Sequence, residues 1–152
     1  MNKFIELRNL SKSFLEKKNV KVLKKINYKF KLGKIYSLMG PSGSGKSTLL
    51  NIISLIDRPS LGSIKFHNND INFNNSRDND LFRANNIGII YQQDNLLSDF
   101  TALENVYLAS LSAGYAKEFA VNKARKILKK VGLSSRLNHY PSELSGGEKQ
   151  RV

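Results

Sequence analysis

The 152-residue chain has no cysteine, which excludes disulfides, thiolate metal sites and cysteine nucleophiles from its chemistry. Nowhere do 18 apolar residues follow one another, and the opening stretch MNKFIELRNLSKSF has no apolar run of signal-peptide length. Any membrane role is therefore expected to come through a partner. Acidic residues are scarce, 12 against 25 Lys and Arg, giving a formal charge of +13. The excess is uneven: residues 1–34 hold 11 basic and 2 acidic side chains, residues 35–116 hold 5 and 7, and residues 117–152 hold 9 and 3. Segments such as EKKNVKVLKK and KARKILKK read as lysine-rich solvated surface, with contact to anionic lipid or an acidic partner as the alternative. Arginine and aromatic residues are not interleaved as in a base-stacking platform, so no nucleic acid partner is expected.

What is present is α/β in pattern. Alternating FIELRNL reads as a strand, and a second extended segment runs from about Val20 to Phe30 before a turn at Leu32 and Gly33; both fit an antiparallel edge sheet. The apolar run Lys34–Met39 predicts a strand, and the spacing of Leu49, Leu50, Ile52, Ile53 and Ile56 predicts a helix ended by Pro59 and Gly62. GSIKFH is a further strand, NNDINFNNSRDND a polar loop, LFRANN a single helical turn, and Ile87–Gln92 a strand. Beyond Gln93 the pattern turns helical, with Leu103, Val106, Tyr107 and Ser110 on one face of a helix. Ala120, Ala124, Ile127, Leu128 and Val131 share a face of the next, which Gly132 ends. A boundary is therefore expected near Gln92, dividing a core at 1–92 from a helical subdomain at 93–152. His67 and His139 stand alone and read as structural or solvent-facing, and Asp94 and Glu104 as loop and helix-surface carboxylates.

Between the predicted strand at 34–39 and the helix after it, Gly40 to Ser47 (GPSGSGKS) matches G-x-x-x-x-G-K-[ST] residue for residue. Gly40, Gly43 and Gly45 allow the backbone to curl so that successive N–H groups point at phosphate oxygens, with Pro41, Ser42 and Ser44 filling the loop. The helix beginning near Lys46 adds its positive end. Lys46 reaches the β and γ phosphates as a point charge, Ser47 is the expected ligand of Mg²⁺, and Thr48 helps to hold an α or β phosphate. A merely structural glycine turn would leave the lysine and the hydroxyls without a purpose. No guanine-reading Asn-Lys-x-Asp segment follows, which favours adenine and hence ATP.

Near the end of the chain, Ser145 and Glu148 have the spacing of a capping box, with Gly146 and Gly147 in the first helical turn. LSGGEKQRV, Leu144 to Val152, resembles the signature of the ATP-binding cassette family, with Glu148 where the family usually has glutamine. Together with the phosphate loop some hundred residues earlier, it identifies the chain as a member over essentially its whole length. The resemblance implies a P-loop NTPase sheet with an antiparallel N-terminal β-subdomain and a helical subdomain. It implies that Phe14 stacks on adenine, and that Gln92 approaches Mg²⁺ and the attacking water while its loop senses a membrane partner. It further implies that two copies pair head to tail, Leu144, Ser145, Gly146, Gly147 and Glu148 serving the ATP held by the other copy's phosphate loop. Within the family, LLSDFTALENV and HYPSELSGGEKQRV look like the subgroup that powers lipoprotein release from the bacterial inner membrane, with macrolide exporters and the cell-division cassette nearby. The expected protein is thus a peripheral ATPase subunit on the cytoplasmic face, bound to integral permease subunits. Complete members carry a general-base glutamate after the signature, so these 152 residues are expected to be a front portion that does not turn over ATP alone. A non-catalytic interaction fragment is the other reading.

Overall fold

The computed structural model describes residues 3–15 and 19–152. Glu16, Lys17 and Lys18, part of the lysine-rich EKKNVKVLKK segment, lie outside the described residues. The chain forms two compact units, residues 1–83 and residues 84–152.

The first unit is built on a four-stranded antiparallel sheet. Strands β1 (Lys3–Leu15) and β2 (Asn19–Lys31) pair along their length, β3 (Leu61–Phe66) adds to the other side of β1, and β4 (Asn69–Asp70) closes the edge, giving the order β2-β1-β3-β4. The register sets Ile5 opposite Phe30 and Phe66, and Leu7 opposite Tyr28 and Ile64. Ile5, Leu7, Leu10, Leu23, Ile64 and Phe66 are buried; Ile5 and Leu7, like Ile64 and Phe66, are spaced by two as for a packed sheet face, and the register shift between Leu7 and Leu10 re-phases β1 so that Leu10 is buried in turn. Helix α1 (Lys46–Ile53) contributes buried Leu49 and Ile52, and Leu55 beyond its end is buried too. Near Lys12 the β1–β2 ladder slips: Lys12 faces Leu23 and Ser13 faces Lys21, so Val22 is an extra residue and β2 carries a bulge there.

Two segments read as strands from their apolar runs are not strands. Residues 34–40 and 87–92 make no ladder, and Ile35 and Ile90 are essentially fully exposed, at 102% and 98%. A buried central strand is defined by neighbours on both sides, and the described residues supply none to either segment. The helical turn expected over LFRANN is present but longer: helix α2 (Ser76–Asn86) begins five residues earlier, within the last part of the polar stretch expected to be a loop. It starts because the Asn75 carboxamide accepts from the Asp78 N–H at 3.2 Å, an N-cap reading of Asn-x-x-Asp, and because the Phe82 ring meets Phe66 edge-on at 5.1 Å.

The second unit packs helix α3 (Ala102–Ser112) on helix α4 (Lys117–Lys130). Leu103, Ala124, Leu128 and Leu133 form its core, with Val106, Tyr107, Val121, Val131, Leu137 and Val152 against it. Ile127, expected on that face, is exposed. Glu104, read as a plain surface carboxylate, completes a capping box: it accepts from the Thr101 N–H at 2.8 Å while the Thr101 hydroxyl accepts from the Glu104 N–H at 3.3 Å. Gly132, at φ +77, follows the α4 C-cap as its sequence position predicts. Two short 3₁₀ turns, Ser134–Arg136 and Pro141–Glu143, lead to helix α5 (Gly146–Arg151). The molecule is thus α/β, with a P-loop preceding α1, an antiparallel N-terminal sheet and a C-terminal helical part.

Candidate nucleotide-binding site

The phosphate-loop segment runs from the extended residues 34–40 into α1, and its glycines adopt backbone angles that side chains resist: φ is +151 at Gly40, +76 at Gly43 and +88 at Gly45. Gly45 is the residue immediately before α1 and lies in the left-handed region. A Cβ there would stand 2.9 Å from Val22 Cγ1 and 3.0 Å from Leu23 Cδ2, so the loop is seated on the β2 bulge and only glycine fits. At Gly40 an added Cβ would meet the Ser44 hydroxyl at 3.0 Å.

Helix α1 carries no capping side chain at its N-terminus and no carboxylate in its first turn. Its leading N–H groups and positive end therefore face no competing anion from the helix itself, as an anion-binding helix start requires. The Lys46 ammonium folds over the loop, donating to the Gly40 carbonyl at 2.8 Å, the Pro41 carbonyl at 2.7 Å and the Ser44 hydroxyl at 3.4 Å. The loop thus places a cation at its own centre, held by neutral oxygens that phosphate oxygens can replace. Ser42 and Ser47 are exposed and Thr48 half-buried. Phe14, 39% exposed near the end of β1, pairs with Val20, two residues along β2 from the bulged Val22 that with Leu23 seats Gly45. Phe14 and the loop are therefore gathered at one corner of the first unit.

The donor set suits Mg²⁺ only as an ion shared with phosphate. Among the described residues no group of three or more His, Asp or Glu side chains could hold a metal, so a Ser47 hydroxyl with triphosphate oxygens is the fitting arrangement.

The signature residues and Gln92 belong to the second unit. Ser145 caps α5: its hydroxyl accepts from the Glu148 N–H at 3.3 Å, and its N–H donates to Glu148 Oε2 at 2.8 Å. Leu144 is buried and anchors the segment. Gln92 is exposed and lines a groove with Ile90, Tyr91, Lys149 and Gln150. The residue that sequence reasoning missed is Arg136, whose Nε donates to Glu148 Oε1 at 2.8 Å. Glu148 is held down to about pKa 2, first by the Ser145 backbone N–H and next by the Arg136 guanidinium. Nothing in local periodicity links two residues brought together by a 3₁₀ turn and a cap.

Strand sheet, glycine-rich loop and helix define a P-loop nucleotide-binding protein. A family model described as ABC transporter matches residues 23–152, and the chain belongs to that family. The lipoprotein-releasing system ATP-binding protein LolD of Rickettsia bellii is 42% identical over 152 residues, covering 99% of this chain and 66% of its own length. The protein of the same name from Wigglesworthia glossinidia brevipalpis is 43% identical, covering 97% of this chain and 65% of its own. A solved dimeric post-hydrolysis state of the ATP-binding cassette MJ0796, bound to ADP and Pi, superposes with a TM-score of 0.84 at 37% identity over 97% of this chain and 66% of that one. The chain thus spans about two thirds of the length of these relatives.

Proposed function

We propose that the protein is the ATP-binding subunit of an ABC exporter that releases lipoproteins from the bacterial inner membrane, acting peripherally at the cytoplasmic face. The observation that carries the reading is the loop at Gly40–Thr48, in which glycines in left-handed geometry, an uncapped helix start and an inward-folded lysine make a cradle for a triphosphate. Lys46 neutralises the terminal phosphates, the Ser47 hydroxyl would hold Mg²⁺, Thr48 steadies the inner phosphates, and the exposed Phe14 ring offers a face to adenine. Bound Mg²⁺ supplies charge neutralisation between the phosphates. The lipoprotein substrate rests on the likeness to the LolD proteins.

The signature is read as serving the nucleotide of a second copy. An added Cβ at Gly146 would meet nothing within 4 Å, and at Gly147 only the tip of Arg151 at 3.7 Å. The fold itself therefore does not require two glycines that weaken a helix start, and their use fits close approach by a ligand from outside the unit. In this reading ATP draws two copies together and hydrolysis by the paired assembly separates them, moving permease subunits through the groove at Gln92. Among the described residues no helix is long and apolar enough to cross a membrane, which fits attachment through such subunits. The expected result of affinity purification from source membranes in mild detergent is stoichiometric recovery of an integral membrane subunit, identified by mass spectrometry. Recovery of ribosomes or DNA without a membrane subunit would sink the transport reading.

A further inference from the structure

Lys12 is a charged side chain in an unexpected place: on β1, 10% exposed, beside the corner where the phosphate loop is seated. Its ammonium donates to Asp57 Oδ1 at 2.6 Å and to the Arg58 carbonyl at 2.7 Å, two strong bonds to the segment joining α1 to β3. Asp57 is itself fixed, accepting from the Arg58 N–H at 2.7 Å. The same ammonium stands 5.0 Å from the centroid of the Phe14 ring, the geometry of a cation–π contact. Lys12 also faces Leu23, which with Val22 is packed on Gly45.

Burying a lysine is costly unless its charge is paired, and a methionine or leucine at this strand position would pack without that cost. The pairing with Asp57 compensates the charge but does not explain why a cation is placed under an exposed aromatic ring. We propose that Lys12 is a positioning residue for the nucleotide base: pinned by Asp57 and the Arg58 carbonyl, it holds one face of Phe14 and presents the other for stacking an adenine. The inference rests on the nucleotide-binding reading above and deepens it. A ring already fixed in its bound orientation loses less conformational freedom when the base arrives, which raises affinity without a new contact to the ligand.

The effect should appear with ligands that have a base and vanish with those that lack one. Calorimetric titration of the 152-residue chain with Mg-ATP and with Mg-tripolyphosphate separates the two. Lys12→Met is expected to weaken ATP about three- to tenfold and leave tripolyphosphate unchanged. Lys12→Arg should restore ATP binding, and Lys12→Met should add nothing in a Phe14→Ala background. Asp57→Asn, which unpins the lysine without removing it, is expected to weaken ATP selectively as well, and it decides the matter if Lys12→Met does not fold. Equal losses for both ligands, no loss for either, or additivity with Phe14→Ala would overturn the role of Lys12. A wild-type chain that binds neither ligand would instead overturn the nucleotide-binding reading on which it rests.

Discussion

Gly45 carries two demands at once, a left-handed backbone and the absence of a side chain against Val22 and Leu23. Gly43 shares the first demand only, since a Cβ there would meet nothing within 4 Å. Gly45→Ala is therefore expected to cost more than Gly43→Ala, whose backbone strain alone amounts to about 1–3 kcal/mol. Thermal denaturation of the two variants checks this, and equal losses would mean that the loop is not seated on the β2 bulge as described. At this scale the sequence was highly legible, because G-x-x-x-x-G-K-S encodes local backbone geometry and a local cation. Arg136 and Lys12 were not legible, because each acts through a partner brought near by the fold, Glu148 in one case and Asp57 with Phe14 in the other.

Among the elements, α5 depends on its cap. The folded-state pKa of Glu148, lowered from 4.5 to about 2, lies below its unfolded value, so its carboxylate contributes stability above about pH 4.5 that is lost as pH falls through the folded value. Glu148→Gln keeps a hydrogen-bonding side chain but removes the titration. The stability difference between wild type and Glu148→Gln, measured by urea unfolding, should be full at about pH 6 and largely gone by about pH 2. A difference that does not change with pH would contradict the assigned cause. The helices α3 and α4 and the strands β1 and β3 were readable from periodicity because each has one packed face. Of helix α2 only the second half, LFRANN, was legible; its first turn was missed because its residues are polar and its start lies in an Asn75–Asp78 cap that a count of apolar positions does not register. Residues 34–39 and 87–92 were read as strands from apolar runs alone, yet a strand is a property of a pair, and neither segment has a partner among the described residues.

For the whole molecule, the charge of +13 belongs to the two ends of the sequence, while residues 35–116, which include the phosphate loop, are slightly acidic. The net charge is thus a poor guide to the ligand, and the local field of the loop is the better one: the Lys46 ammonium and the α1 N-terminus set against no carboxylate in the first turn of the helix. The residues of the proposed machinery divide between the two units, the phosphate loop and Phe14 lying in one and the signature segment and Gln92 in the other. The family and the order of these parts were legible because each motif is short and contiguous. Under the proposed function only the phosphate loop acts without a second copy or a membrane partner, so the central claim is that this loop binds the nucleotide. That claim is tested by titrating Mg-ATP into the 152-residue chain and into its Lys46→Ala variant, with circular dichroism to show that both are folded. Saturable binding by the wild-type chain and at least about a tenfold loss in the variant are expected, since the charge facing the terminal phosphates is gone. Equal affinity in the two, or no binding by a folded wild-type chain, would contradict the claim.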